Sequence, residues 1–311
     1  MMKLGCHDVL AVTAMSRGDI EAVFEGARTF KKDRRGLGEP LQGKSVAMIF
    51  EKPSLRTRVS FEVAVHRLGG LAIPLDRRGE KLGERESIRD EAKVLERYVD
   101  VIVARVFSHK SLVELAEHAR IPVVNALSDW EHPCQALADC FTLLERFGKL
   151  DGLRAAYIGD GNNVARSFAA AGALLGMHVT VITPRGHEPG EEVVEFARGV
   201  NAKSGGSLVV TNDVAAARGQ QVIYTDTWTS MGDESKDGEA RRKLFMPYQV
   251  NARMMAEAAN RAVFLHCLPA HRGLEVTDSV MDAPAPASLV YEQAENRLHV
   301  QAAVLAGVVG S

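Results

Sequence analysis

Short, continuously apolar runs rich in β-branched residues recur along the chain, separated by stretches in which apolar positions return every three or four residues. The runs are Ser45 to Phe50, Leu71 to Leu75, Val101 to Arg105, Pro122 to Ala126, Arg154 to Gly159, His178 to Thr183, Ser207 to Thr211, Gln221 to Asp226 and Ala262 to Cys267. Strands covered by helices on both faces lose the in–out alternation of half-solvated strands, so the pattern predicts parallel α/β architecture. Nine such units exceed one doubly wound sheet of usual size, and two doubly wound parallel-sheet domains are expected. The division falls near "ERFGKLDGL", where a helix gives way to a polar, Gly-containing turn, so the first domain covers 1–147 and the second 148–289. In the remaining 290–311, "AENRLHVQAAVLAGVV" brings Leu298, Ala302, Leu305 and Val309 to helical spacing, which predicts a C-terminal helix with one buried face.

In open parallel sheets, ligands bind outside the carboxyl ends of the strands. Six polar clusters fall at such ends: "EKPSLRTR" after the first run, Arg105 closing the third, "NALSDWEHPCQ" after the fourth, "GDGNN" after the fifth, "DTWTSMG" after the eighth and "HCLPAHRG" after the ninth. That distribution points to one ligand cleft. Ser54 suits a helix N-cap, and the turn behind it offers free N–H groups and the positive end of the helix dipole, which together favour a phosphate. Arg56 adds a charge-assisted contact, whereas Arg58, two residues on, faces elsewhere and reads as a structural ion pair. His132 and Gln135 open a second helix behind Pro133 and lie three apart, so both can face one ligand. Asp226 supplies a negative charge matched to an ammonium group. Asn162 and Asn163, at a helix start, suit a carboxylate. The long polar stretch from "DTWTSMG" to "FMPYQVN" reads as a connection without clear secondary structure.

Composition narrows the partners. A formal net charge of -2 gives no sign of nucleic acid or an anionic membrane, and no apolar run approaches the roughly 20 residues needed to span a bilayer. His and Asp within "MMKLGCHDVLAV" interrupt the apolar core that a signal peptide needs. Cys6, Cys134, Cys140 and Cys267 form no CxxC pair, which suits a reducing, cytoplasmic setting. Two other chemistries are open at this point. "GDGNNVA" approximates a dinucleotide fingerprint, but the following strand ends in "ITPRG" with no acidic residue for a ribose, leaving Arg185 as a hint of NADP at most. His266, Cys267 and His271 invite zinc, yet adjacent residues on a strand point to opposite faces and no fourth ligand lies at metal-site spacing. Cys267 fits better as a polarisable wall of the site.

SLRTR, HPCQ, GDGNN, DTWTSMG and HCLPAHRG, in this order and spacing, resemble the ornithine carbamoyltransferases. The likeness runs nearly end to end and includes "RVFSHK", "FMPYQVN" and "EQAENRLH". SxRTR and HPxQ mark carbamoyltransferases in general, while DxxxSMG with HCLP marks the ornithine branch. The resemblance implies a carbamoyl phosphate-binding first domain, an L-ornithine-binding second domain and a C-terminal helix that returns to the first. It implies a homotrimer or an assembly of trimers, with no cofactor and no metal. On carbamoyl phosphate it places Ser54, Leu55, Arg56, Thr57, Arg105, His132, Gln135, Cys267, Leu268 and Arg297. Of these, Arg105, His132, Cys267 and Arg297 are the catalytic set. On ornithine it places Asn163, Asp226, Ser230 and Met231, with Cys267 and the Leu268 carbonyl beside the side-chain amine. Leu55 stands where Thr is common, so one hydroxyl contact to phosphate is lost. Lys81 stands where a Gln reaching a neighbouring subunit is expected. The competing readings are a carbamoyltransferase for another amine, such as acetylornithine or putrescine, an NADP-dependent dehydrogenase, and a non-catalytic carbamoyltransferase-like subunit. DTWTSMG favours free ornithine, because putrescine has no carboxylate and an acylated substrate has no ammonium for Asp226.

Overall fold

A computed structural model of the chain describes residues 3–77, 79–228 and 238–310. The chain divides into two compact units, Met1–Phe141 with Glu295–Ser311 and Thr142–Ala294. The helices Pro133–Phe147 and Val290–Val309 each run from one unit into the other.

The first unit carries β1 (Ser45–Phe50), β2 (Leu71–Asp76), β3 (Val101–Arg105) and β4 (Val123–Leu127), ordered β2-β1-β3-β4 with every pair parallel. The inner strands β1 and β3 are almost wholly buried, which is why they lack polar alternation. At the sheet edge, β2 is half-exposed and tolerates Pro74, whose missing N–H costs an edge strand little. One face of this sheet packs Ala47, Ile49, Ile102 and Ala104 against Ile88, Ala92, Leu112 and Leu115 of two covering helices.

The second unit carries β5 (Arg154–Ile158), β6 (His178–Ile182), β7 (Ser207–Thr211), β8 (Val222–Thr225) and β9 (Val263–His266), ordered β7-β6-β5-β8-β9 and again all parallel. Its core joins Ala156, Ile158, Ile182, Ile223 and Phe264 to Tyr248, Val276 and Met281.

Both sheets reverse direction beside their first strand. The chain leaves β1 outward to β2 and returns on the other side as β3; it leaves β5 through β6 and β7 and returns as β8. Loops after β1 and β3, and after β5 and β8, therefore diverge and open a crevice at each switch point. The apolar runs thus form the two parallel sheets that their patterning predicts.

Two expectations need correction. The C-terminal helix Val290–Val309 is not buried on one face: from Asn296 to Val308 only Leu298 escapes full burial, and Asn296, Arg297, His299 and Gln301 are all inside. The helix packs into the first unit, where the Leu4 N–H donates to the Gly307 carbonyl and Phe30 meets the His299 ring edge-on at 5.9 Å. The long polar connection, in turn, contains a helix at Gly238–Phe245 and a turn of 3-10 helix at Met246–Tyr248.

Candidate active site

In the first unit, Ser54 is the N-cap of helix Leu55–Arg67, but its hydroxyl makes no capping hydrogen bond. The N–H groups of Leu55, Arg56 and Thr57 donate to no described residue, so the positive helix end keeps its donors for an anion. Arg58 pairs with Glu62 one turn on at 2.9 Å, as its spacing predicts. Arg56, half-buried, has no such carboxylate among the described residues. Leu55 is 75% exposed and offers the site only its backbone.

Phe50 and Arg105 are register partners at the ends of β1 and β3. Glu51, buried just beyond β1, accepts from the Leu82 N–H at 2.5 Å and from the Phe107 N–H. One carboxylate thereby fixes three loops around Arg105. Lys52 lies in the same crevice with its ammonium 4.2 Å from the Phe107 ring centre, and burial followed by the Arg105 charge lowers its pKa. Lys81, exposed, lies 5.6 Å from the same ring.

A buried network ties the C-terminal helix to this crevice. Arg297 donates through Nη1 to Gln135 Oε1 at 2.6 Å and through Nη2 to Thr57 Oγ1 at 3.2 Å. Gln301 turns its amide oxygen to the same guanidinium, 3.0 Å from Nη2 and 3.2 Å from Nε, while its nitrogen donates to Ser60 Oγ at 2.5 Å. Gln135 in turn donates to Asp139 at 2.8 Å. Pro133 occupies the first position of its helix, and His132, just ahead of it, is buried. Burial, then the charges of Arg297 and Arg105, push the His132 imidazole well below 6.5, so it is neutral and carries a single N–H. Thr57, Arg105, His132, Gln135 and Arg297 thus come together.

In the second unit, Asn162 caps helix Asn163–Leu174, its Oδ1 accepting from Val164 and Ala165 N–H, while its Nδ2 donates to Asp226 Oδ2 at 2.9 Å. Asp226, buried just after β8, accepts on Oδ1 from the Cys267 thiol at 3.0 Å. Asn163 begins the same helix beside them. Leu268 follows in the left-handed region at φ +60, a conformation that costs a β-carbon-bearing residue about 1–2 kcal/mol. Ser230 and Met231 lie outside the described residues.

The glycines of GDGNN serve the protein's own packing. A Cβ on Gly161 would meet the His187 carbonyl oxygen, Glu188 and Pro189 at 2.5 Å, so the close approach that a dinucleotide fingerprint gives to pyrophosphate is taken by the chain itself. Asp160 places a carboxylate there, paired to Arg241 at 2.7 Å, and Asn162 occupies the helix N–H groups. These features oppose a phosphate and remove the basis of the NADP reading.

The sequence expectation that His266 and Cys267 point apart does not hold. A ligand atom from each, and one from Asp226, lie within 4.8 Å of one another. The imidazole is nevertheless engaged at both nitrogens: Nδ1 accepts from the Leu268 N–H at 2.9 Å and Nε2 faces Glu275 at 3.2 Å. No lone pair of the ring is left for a metal.

Sequence reasoning assigned no role to Lys52, Glu51, Gln301 or Glu275. Glu51 and Lys52 had a visible signal, their place at the head of EKPSLRTR directly after β1.

Two parallel sheets, one with an arginine-rich crevice suited to an anion and one with a buried carboxylate at its switch point suited to a cation, define a two-domain α/β protein built for small charged ligands. Residues 7–145 match the family described as aspartate/ornithine carbamoyltransferase, carbamoyl-P binding domain, and residues 151–308 its Asp/Orn binding domain. The chain belongs to the aspartate/ornithine carbamoyltransferase family. It is 49% identical to the ornithine carbamoyltransferase of Thermococcus kodakarensis, covering 100% of this chain and 98% of that one. The same figures hold for the ornithine carbamoyltransferase of Pyrococcus furiosus, named as anabolic. The solved structure of the ornithine carbamoyltransferase from Pyrococcus furiosus superposes with a TM-score of 0.94 at 48% identity, covering 100% of this chain and 99% of that one.

Proposed function

We propose that this chain transfers the carbamoyl group of carbamoyl phosphate to the δ-amine of L-ornithine, giving L-citrulline and phosphate, in the direction of arginine biosynthesis. Residues 1–147 with the C-terminal helix 290–311 bind carbamoyl phosphate, and residues 148–289 bind ornithine.

The neutral amine attacks the carbonyl carbon with its lone pair. The carbonyl becomes a tetrahedral oxyanion, the C–O bond to phosphate breaks as the carbonyl re-forms, and the amine's proton passes to the departing phosphate. Ser54, the N–H groups of Leu55 to Thr57 and the Arg56 guanidinium hold the phosphate. Arg105 spans the phosphate and the carbonyl oxygen, with His132 and Arg297 as further donors. Such donors lower the barrier because they are in place before the oxyanion forms. A neutral His132 donates its single proton without competing for the one the amine must lose, and Gln135 takes the carbamoyl amide. Asn163 and the Met231 backbone hold the α-carboxylate, Asp226 and Ser230 the α-ammonium, and Cys267 and the Leu268 carbonyl the reacting amine.

Asp226 carries the choice of ornithine. Each of its oxygens accepts one hydrogen bond, from Asn162 or from Cys267, and keeps lone-pair capacity for an ammonium group. The protein works in the cytoplasm as a homotrimer or an assembly of trimers. None of the four cysteines forms a disulfide, which suits a reducing compartment, and no helix among the described residues is long and apolar enough to cross a membrane.

The deciding experiment measures carbamoylated product from carbamoyl phosphate with L-ornithine, acetylornithine, putrescine and aspartate in parallel. Citrulline from ornithine alone is expected, at a rate that climbs with pH as the amine deprotonates. Product chiefly from another amine would overturn the ornithine reading and keep the phosphate half.

A further inference from the structure

Beyond the residues that meet substrate, the second unit contains a wholly buried ionisable pair that the mechanism does not use. His266 ends β9 and Glu275 lies nine residues on; neither side chain reaches solvent. A backbone amide does not give up its proton, so the Leu268 N–H that points at His266 Nδ1 fixes the ring's lone pair there and its proton on Nε2. That proton faces Glu275 Oε1 at 3.2 Å. The same oxygen accepts from the His271 N–H, and the His266 N–H donates to Gln293 Oε1 at 2.9 Å. The ring is held at both nitrogens and through its own backbone.

What the ring holds is the turn carrying Cys267 and Leu268. Leu268 stands at φ +60, a region that its side chain disfavours and that persists only where the surroundings impose it. The hydrogen bond from Leu268 back to His266 closes over Cys267 and fixes its backbone between them. The Cys267 thiol then falls 3.0 Å from Asp226 Oδ1. Stability alone does not explain the pair. The desolvation of a buried carboxylate offsets most of its attraction to a partner, and Glu275 Oε2 has no hydrogen-bond partner among the described residues.

We propose that Glu275 and His266 are positioning residues: through the Leu268 N–H they aim the Leu268 carbonyl and the Cys267 thiol at the amine that attacks. The proposal rests on the reading that these two groups meet that amine. Neither His266 nor Glu275 touches substrate, so their effect falls on the ornithine half of the reaction and spares carbamoyl phosphate.

The test uses the full-length protein with His266→Asn, His266→Gln, Glu275→Gln and Glu275→Leu. An Asn amide oxygen sits near the place of Nδ1 and keeps an acceptor for the Leu268 N–H, whereas Gln reaches the place of Nε2 and does not. Two readouts are taken: kcat with KM for each substrate, and the rate at which iodoacetamide alkylates Cys267, followed by peptide mass spectrometry. The second needs no catalysis. The alkylation rate should change several-fold in H266Q and E275L, and kcat should fall roughly 10- to 100-fold with KM for carbamoyl phosphate within about twofold, the scale of loss when a reacting contact is misplaced. H266N and E275Q should recover most of both. Equal loss in H266N and H266Q, or wild-type kcat and alkylation in all four, would overturn the proposal. If E275L does not fold, the Asn/Gln pair at 266 decides. If the unaltered protein makes no citrulline, the functional reading fails, and the alkylation rates still judge the positioning.

Discussion

The two switch points solve opposite electrostatic problems with different materials. In the first unit the crevice between β1 and β3 is lined by fixed cations and free N–H groups, and Arg297 is held by three side chains from two other helices and its own. In the second, the crevice between β5 and β8 holds two carboxylates: Asp160 is paired to Arg241, and Asp226 is braced by an amide and a thiol and has no cation on it among the described residues. A phosphate that departs with extra charge needs several donors already in place. An ammonium needs a single counter-charge and a neighbour that fixes its direction. The difference teaches which substrate each unit takes, and the comparison is open to attack from both sides.

The hardest blow falls on the first unit. On the proposed assignment Arg105→Ala removes a donor to both phosphate and oxyanion, and kcat should drop about 10²- to 10³-fold in steady-state citrulline assays. A loss confined to KM for ornithine would contradict the assignment of cations to the donor. Asp226→Asn should raise KM for ornithine by roughly 30- to 150-fold, the worth of about 2–3 kcal/mol for a charge-assisted contact, and leave carbamoyl phosphate binding by calorimetry intact. Weakened carbamoyl phosphate binding in that variant would erase the division of labour.

A pH effect separates the units more gently. The unfolded His132 takes up a proton near 6.5, while the buried folded ring resists until well below that value. Between the two values the unfolded state binds more protons, so stability falls on acidification by up to about 1.4 kcal/mol per pH unit. Denaturant titrations from pH 7 to 5 should show this slope, and His132→Asn should flatten it. The smallest contrast lies within one helix. Arg58→Ala breaks an exposed pair and should cost under about 0.5 kcal/mol with activity unchanged, whereas Arg56→Ala should raise KM for carbamoyl phosphate at least about tenfold. Equal effects at the two positions would remove Arg56 from the phosphate site.

Much of this was legible in advance because parallel strands advertise themselves as unbroken apolar runs and their carboxyl ends collect the polar residues. Periodicity read less well at the C-terminal helix. Its Leu and Ala stripe suggested one buried face, but Asn296, Arg297 and Gln301 are buried too because each finds a polar partner. GDGNN misled in the other direction: Gly161 resembles a phosphate-binding glycine, yet the space beside it belongs to His187, Glu188 and Pro189.

By itself, the sequence determined the nine strands, the α/β class, the place of the polar clusters at strand ends and the ion pair of Arg58, because each follows from local spacing. Only the tertiary structure decided that Arg297 meets Thr57 and Gln135 across 240 and 162 positions, that Asn162 and Cys267 converge on Asp226, and that Glu275 reaches His266. Such pairings depend on strand order and on which loops share a switch point, and one-dimensional spacing does not encode either.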